Sequence, residues 1–265
     1  MNHAKRKIAF VLASSDHGSM IINRFDYRMV SENHGYGVGF QILEDGSYNQ
    51  NEIDLTLSLL ELRRKYFGDG VVAVDCGANI GVHTIEWAKK MGSWGSVIAI
   101  EAQERIFYAL AGNIAINNCF NAVAVFAAVA AKRGVMRIPC IDYLKPASFG
   151  SLELKQRVDG EFIGQPIDYS DQKTVQVPSL SIDSLELKRL DLIKIDVEGM
   201  EFDVLDGAED SLREHRPILF VEALKVDPDK LRLRLQQLGY LNFAVGMNIL
   251  AIHKTDKTQE HFKRA

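Results

Sequence analysis

Short apolar runs alternate with helical segments in two parts of the chain, residues 71–130 and 190–253. Such runs, without polar alternation, are typical of parallel strands that are buried on both faces. The predicted strands are 71–76, 96–101, 122–129, 191–196 and 217–222, with a terminal hairpin at 241–245 and 249–253. The predicted helices are 82–91, 104–117, 201–214 and 228–238. This alternation predicts an α/β fold with an open, mostly parallel sheet, in which ligands bind outside the carboxyl ends of the strands.

Two segments fall outside this alternation. Residues 1–68 are predicted to form an N-terminal extension packed on the core, with a small hairpin over 36–48 and a helix over 51–66. The apolar run Ile8–Ala13 is shorter than the core of a secretory signal, and it predicts an early strand. Residues 69–265 form the predicted main domain, and a turn-rich insertion with four prolines interrupts it at about 132–180.

The composition excludes several classes of protein. A net charge of −4, with acids and bases interspersed, lacks the basic excess of nucleic-acid-binding proteins. The longest apolar stretch, Ala122–Ala131, is too short to span a bilayer. The three cysteines, Cys76, Cys119 and Cys140, form no C-x-x-C pair, so neither a disulfide framework nor a structural zinc site is predicted. A reducing, cytoplasmic location is expected.

Four predicted strands end on a carboxylate: Asp75, Glu101, Asp196 and Glu222. One such acid is unremarkable, because it often caps the next helix. Four acids at one sheet edge repel one another, so they need cations or hydrogen-bond donors between them. The edge is therefore the predicted binding site.

The glycine turn after Asp75 narrows the choice of ligand. Gly77 and Gly81 have the spacing G-x-x-x-G, which is neither the G-x-G-x-x-G of a dinucleotide fold nor a P-loop. A carboxylate at Asp75 opposes a pyrophosphate and suits an ammonium or sulfonium group. Glu101 stands where an acid binds a ribose diol. A nucleoside with a cationic amino-acid tail and no phosphate fits both acids, which indicates S-adenosylmethionine.

Longer motifs carry a resemblance to a known family. VDCGANIGVHT (74–84), followed by IEAQ (100–103), resembles the first two cofactor motifs of class I methyltransferases. VPSLSIDSL, DLIKIDVEGMEFDVLDGA and RPILFVE resemble the FkbM family of these enzymes, and KIDVEGxE is the most specific part. The resemblance covers about residues 35–225. The sequence departs from the family pattern at Ala102, where proline is usual. We expect this alanine to alter the shape of the loop and not the contact of Glu101 with the ribose.

The resemblance implies a Rossmann-like class I methyltransferase fold. This fold is a mostly parallel seven-stranded sheet with an antiparallel last strand and helices on both faces, here with a small N-terminal hairpin and helix added. The resemblance also implies S-adenosylmethionine as cofactor and S-adenosylhomocysteine as product. The turn-rich insertion at about 132–180 is predicted separately as a substrate region, because residues 140–175 have no match in the family pattern.

The predicted cofactor residues lie at the carboxyl edge of the sheet; they are Asp75, Gly77, Asn79, Gly81, His83, Thr84, Glu101, Ala102, Ala128 and Asp196. Asp75 is expected to order the turn and accept hydrogen bonds near the methionine amino group, and Glu101 to bind the ribose diol. Asn79 either contacts the methionine moiety or forms a local turn bond. His83 either lines the carboxylate end of the cofactor, with Thr84, or is a surface or capping histidine. Ala128 either flanks the adenine or is ordinary core.

Asp196 and Glu198 are the predicted catalytic residues, and one of them is expected to accept the proton of a substrate hydroxyl. Lys194 lies inside an apolar strand and is expected to form a structural ion pair. Glu222 is a weaker candidate for the same crevice. No metal ligands are assigned; Mg²⁺ held by the clustered carboxylates stays open but is not favoured.

The predicted activity is O-methylation by in-line displacement, and the resemblance implies a hydroxyl of a sugar, glycan or secondary metabolite as acceptor. A nicotinamide-dependent oxidoreductase is the rival enzyme, although the missing third glycine and Asp75 argue against it. A non-catalytic module that binds S-adenosylmethionine is the other alternative. No nucleic-acid partner and no membrane span are expected, and a homo-oligomer is compatible with the sequence.

Overall fold

The structure is a computed structural model that describes residues 7–32 and 34–262. The chain divides into two compact units. The first comprises the described residues up to Asn49 together with Arg137–Val175. The second comprises Gln50–Met136 and the described residues from Gln176 onward. The helix predicted at 51–66 thus falls in the second unit, whereas the sequence analysis placed it in the N-terminal extension.

The first unit contains two antiparallel hairpins and one helix: β1 (Phe10–Ser15), β2 (Gly18–Asn23), β3 (Arg28–Ser31), β4 (His34–Tyr36) and α1 (Val38–Asp45). The hairpin predicted over 36–48 was wrong, because α1 occupies most of that segment. Val38 and Ile42, one helical turn apart, are both buried. Gly46 ends the helix in a left-handed conformation, and its N–H donates to the Ile42 carbonyl.

The second unit contains the remaining helices and most of the strands. Its helices are α2 (Gln50–Phe67), α3 (Val82–Met91), α4 (Glu104–Ile116), α5 (Glu201–Asp206), α6 (Glu209–His215) and α7 (Pro228–Gln237). The strands are β5 (Val71–Cys76), β6 (Gly95–Glu101), β7 (Ala122–Phe126), β8 (Ala128–Val129), β9 (Gly134–Pro139), β10 (Thr174–Leu180), β11 (Leu192–Ile195), β12 (Ile218–Glu222), β13 (Tyr240–Val245) and β14 (Asn248–His253). The boundaries between the two units fall within β9 and β10.

Seven strands form the main sheet in the order β13-β14-β12-β11-β5-β6-β7. The strands from β12 to β7 are parallel, whereas β14, the last strand of the chain, is antiparallel to both of its neighbours. The predicted sheet is therefore confirmed. The chain runs outward from β5 through β6 to β7 and then returns to β11, so the strand order reverses between β5 and β11. A crevice at the carboxyl ends of these two strands is the expected ligand site.

Two predicted elements are interrupted in the structure. The strand predicted at 122–129 breaks at Ala127, because Ala128 and Val129 pair with β10 instead of continuing along β6. The helix predicted at 201–214 divides into α5 and α6 at Gly207. The Gly207 carbonyl accepts the Asp183 N–H (2.9 Å), which removes it from the helical ladder. Asp183 also caps α6, since its Oδ1 accepts the Ser211 N–H (2.8 Å).

A buried charge network fixes α2 within the second unit. Arg63 Nε lies 3.0 Å from Asp191 Oδ1, and Arg63 Nη1 lies 2.5 Å from Asp256 Oδ2. All three side chains are at most 6% exposed. Asp191 also accepts the Val72 N–H (2.9 Å), so the network reaches the start of β5. None of the helices in the described part of the chain has the length and apolarity needed to cross a bilayer.

Candidate active site

Asp75 lies near the carboxyl end of β5 and is 1% exposed. Its Oδ2 accepts the hydroxyl of Thr84 at 2.7 Å. Its Oδ1 is buried without a hydrogen-bond partner. Burial raises the pKa of Asp75, while Lys194 on the neighbouring strand and the Thr84 hydroxyl lower it. A buried acceptor without a donor is unusual, and an ammonium group has the donors that this oxygen lacks.

The glycine turn after Asp75 depends on both of its glycines. Gly77 has φ +76°, and a Cβ there would lie 1.8 Å from the carbonyl oxygen of Asp196. Gly81 has φ +90°, and its Cβ would lie 2.5 Å from Leu110 Cδ1. These contacts pack the turn against the end of β11 and against α4. Asn79 forms the local turn bond, since its Oδ1 accepts the Ile80 N–H (2.7 Å); its contact with a methionine moiety stays a prediction.

Glu101 is the last residue of β6 and is 5% exposed. Its Oε2 accepts the Asn79 N–H (3.0 Å), and its Oε1 accepts the Gln103 N–H (2.7 Å). Burial raises the pKa of Glu101 to about 7, against the lowering effect of these N–H donors. An ionised carboxylate accepts about four hydrogen bonds. The backbone uses two, so each oxygen can accept one more donor, as from a ribose diol.

The other predicted cofactor residues line or support the same edge. Thr84 is fully buried and orients Asp75. His83 is 5% exposed and packs edge-on against Trp87, with ring centroids 5.7 Å apart, so it is not a surface histidine. Ala102 and Ala128 are buried, and the Ala127 N–H donates to the Glu101 carbonyl (3.1 Å), which places Ala128 beside the end of β6.

Three further acids gather at the ends of β11 and β12. Asp196, Glu198 and Glu222, hereafter the rim cluster, each offer a carboxylate oxygen within 4.8 Å of the other two. Lys194 Nζ lies 2.7 Å from Asp196 Oδ2, which confirms the ion pair expected for this lysine. Lys225 Nζ lies 2.6 Å from Glu198 Oε2. Two lysines thus pair with two of the three acids, so a divalent cation is not needed to offset the charge of the cluster.

Two members of the rim cluster, Glu198 and Glu222, hold their protons more tightly than exposed acids do. Burial, followed by the charge of Asp196, raises the pKa of Glu222 to about 8. The same causes raise the pKa of Glu198, while Lys225 lowers it. Glu198 has a left-handed backbone (φ +55°) directly before Gly199 (φ +97°). This conformation is uncommon in residues other than glycine, and backbone strain of this kind is concentrated at functional sites.

Sequence reasoning missed Lys225, which is 8% exposed. It follows β12 in a connecting segment, where lysines are ordinarily exposed, so no pattern marks it. Glu52 on α2 was also missed. Its Oε1 accepts the side-chain amide of Asn248 (2.8 Å), and the charges of Lys194 and Asp196 act on its pKa, which burial raises.

The first unit has a cavity of its own within the predicted insertion. The cavity has a volume of about 290 Å³, and residues 152–169 line it. Its lining includes the rings of Phe162 and Tyr169 and the carboxylates of Glu153 and Glu161. Arg28 of β3 pairs with Glu161 at 3.0 Å.

Three solved structures illustrate what this chain is similar to. An FkbM methyltransferase from Methylobacillus flagellatus KT is 18% identical, with 72% of this chain and 48% of that chain covered and a TM-score of 0.49. This chain thus matches about half the length of that enzyme. A precorrin-6y C5,15-methyltransferase from Geobacter metallireducens GS-15 is 16% identical (79% and 89% covered, TM-score 0.46). M. jannaschii TYW2 in complex with AdoMet is 14% identical (94% and 86% covered, TM-score 0.42).

Family membership depends on the sequence model and not on these distant structures. No curated protein matches the chain significantly. The model of the Methyltransferase FkbM domain matches residues 75–241, more than half of the chain, from the acid of the glycine turn to β13. The expected Rossmann-like class I methyltransferase fold agrees with the observed sheet. The chain belongs to the FkbM methyltransferase family.

Proposed function

We propose that this protein transfers a methyl group from S-adenosylmethionine to a hydroxyl oxygen and releases S-adenosylhomocysteine. The observation that carries the proposal is the Glu101 carboxylate, which two backbone N–H groups hold at the carboxyl end of β6, beside β5, with acceptor capacity to spare. Asp75, with its buried acceptor, supports a cationic tail beside it. The carboxylates of Asp75 and Glu101 are acceptors and oppose the negative charge of a pyrophosphate, which disfavours a nicotinamide cofactor.

Each residue has a distinct part in the proposed reaction. Glu101 accepts hydrogen bonds from the ribose hydroxyls, and Asp75 accepts them from the amino group of the methionine moiety. Gly77 and Gly81 let the backbone approach the ligand. The bound cofactor supplies a sulfonium methyl group, which moves to the acceptor oxygen as the bond to sulfur breaks. A neutral hydroxyl loses its proton in this step, so a carboxylate of the rim cluster, Asp196 or Glu198, receives it.

The acceptor is proposed to be a hydroxylated small molecule or glycan. The family resemblance suggests a sugar or secondary metabolite, and the cavity of the predicted insertion is large enough for a small part of such a molecule. A substrate role for this insertion, a cytoplasmic location and a homo-oligomeric state stay predictions.

Calorimetry tests the cofactor, and a screen tests the reaction. We expect S-adenosylhomocysteine to bind and NAD to give no heat; the opposite result would favour an oxidoreductase. A methyl donor labelled at the methyl group, incubated with sugars, nucleotide sugars and phenolic metabolites, should label a hydroxyl oxygen of at least one class. Tight binding without transfer to any class would favour the non-catalytic module.

A further inference from the structure

Glu222 is the one member of the rim cluster that no lysine neutralises. Lys194 pairs with Asp196 and Lys225 with Glu198, at 2.7 and 2.6 Å. Both lysines also act on Glu222 through their charge and lower its pKa, but the ion pairs described for them join Asp196 and Glu198. Three acids whose oxygens lie within 4.8 Å of one another therefore share two cations. Like charges this close do not all stay ionised at neutral pH, because one proton relieves their repulsion.

The groups that surround Glu222 favour its neutral form. The acids are Asp196 and Glu198 after β11 and Glu201 on α5, and the bases are Lys194 and Lys225. Glu52 on α2 interacts with Asp196 and Lys194 of this group. Asn248, opposite Glu222 on β14, is neutral and donates its side-chain amide to Glu52. Glu198 and Glu222 titrate as a pair. Burial and the charge of Asp196 also raise the pKa of Glu198 well above its ordinary value. Its contact with Lys225 (2.6 Å) stabilises the ionised form, and Glu222 has no ion pair of this kind among the described residues, so we assign the shared proton to Glu222.

We propose that Glu222 is protonated in the resting protein and donates a hydrogen bond to an acceptor oxygen, while Glu198, ionised against Lys225, takes the proton of the reacting hydroxyl. This assignment rests on the proposed function and narrows it. It selects acceptors in which the reacting hydroxyl has a second oxygen beside it, as in a vicinal diol of a sugar.

Atoms, electrons and charges balance in the proposed methyl transfer. The bond from oxygen to methyl forms, the bond from sulfur to methyl breaks, sulfur keeps that electron pair as a neutral thioether, and the hydroxyl proton passes to Glu198. Glu222 keeps its own proton throughout and fixes the neighbouring oxygen. Lys225 is a positioning residue in this step, because it acts only through Glu198.

Carbon-13 NMR of the full-length protein, labelled at glutamate carboxyl carbons, tests the assignment without any acceptor. Between about pH 5 and pH 10, we expect the Glu222 carboxyl signal to titrate near pH 8 and the Glu101 signal near pH 7, both above the ordinary range for glutamate. The Glu222 signal is the one that carries the test. Glu222→Gln should abolish this signal. Glu198→Gln should keep it but move its midpoint down, because a neighbouring negative charge is lost. Glu104→Gln, at an exposed position on α4, is the control and should leave it unchanged.

Two results would overturn the assignment: the absence of any glutamate signal with a midpoint near pH 8, or a signal near pH 8 that survives Glu222→Gln and disappears in Glu198→Gln. If Glu222→Gln does not fold, the Glu198→Gln spectrum decides alone, since it must retain the signal. Failure of S-adenosylhomocysteine to bind would instead defeat the proposed function and leave the proton assignment standing.

An acceptor found in the screen adds a kinetic test. Glu222→Ala should lower kcat at least about tenfold, which is less than the roughly 10²–10⁴-fold typical of a proton-transfer group because Glu222 keeps its proton. Glu222→Gln should restore most of that loss at neutral pH, because its amide still donates. It should also remove the fall in kcat above pH 8, a change that a merely structural residue would not produce. A Gln variant as slow as the Ala variant would contradict the donor role.

Discussion

Glu101→Gln is the substitution that tests the cofactor site most sharply. Glutamine keeps the shape of the side chain but has one acceptor oxygen in place of two and carries no charge. In the wild-type protein both oxygens accept backbone N–H groups, at 3.0 and 2.7 Å. The amide group of glutamine must therefore face either Asn79 or Gln103 as a second donor. The variant loses an acceptor for one ribose hydroxyl and charge assistance for the other.

The expected loss of affinity follows from these contacts. A hydrogen bond to a charged group contributes about 1.5–3 kcal/mol. Removal of one such bond and weakening of the other should reduce binding by about 2–3 kcal/mol, which is roughly 30- to 150-fold in Kd for S-adenosylhomocysteine.

Titration calorimetry at pH 8, where Glu101 is ionised, measures this change. Glu104→Gln is the matched control, because Glu104 lies three residues further along the chain and is exposed. The contacts described for it are a hydrogen bond from the Tyr108 hydroxyl (2.8 Å) and an ion pair with Arg105. Circular dichroism confirms that both variants are folded. Affinity of Glu101→Gln within threefold of wild type would refute the ribose role and with it the position of the nucleoside.

Four further outcomes are expected. Because the pKa of Glu101 is raised to about 7, its ionised form is lost as pH falls through that value, and Kd for S-adenosylhomocysteine should be about tenfold weaker at pH 6 than at pH 8; calorimetry that gives equal affinities would contradict this. Gly77→Ala should abolish binding and lower Tm, since its Cβ would lie 1.8 Å from the Asp196 carbonyl; a normal melting curve would be the opposite result. Arg63→Met leaves buried Asp256 without its cation and buried Asp191 with Arg189 alone (2.8 Å), and it should reduce the free energy of unfolding by about 3–5 kcal/mol in urea titrations, whereas a change below about 1 kcal/mol would show that the network is not buried in solution. Thr84→Val leaves the second oxygen of a buried carboxylate without a donor and should cost about 1–3 kcal/mol in the same assay; an unchanged midpoint would place that carboxylate in water.

The sequence alone predicted the main sheet and the acids at its edge, because local signals specify them. Apolar runs such as 71–76 and 192–195 form central strands, and their flanking acids follow by position. A cofactor role for Asp75 and Glu101 could be predicted because the glycine turn directly follows Asp75 and because Glu101 ends the next strand.

Other features depend on contacts between distant residues. The segment 38–45 reads as part of a hairpin, yet it is helical, because Asp26 binds the Gly39 N–H (3.0 Å) and its other oxygen binds the Phe149 N–H (2.9 Å). The break between α5 and α6 depends on Asp183, in a different part of the chain. The pairing of Glu198 with Lys225 spans 27 positions and has no motif. Such contacts are visible only in three dimensions.

A crystal structure of the protein with S-adenosylhomocysteine tests the central claim most directly. We expect both ribose hydroxyls to lie within about 2.5–2.8 Å of the Glu101 carboxylate, as is usual for hydrogen bonds to a charged oxygen. We expect the amino group of the ligand to lie beside Asp75. A nucleoside bound elsewhere, or one at this edge whose ribose turns away from Glu101, would contradict it.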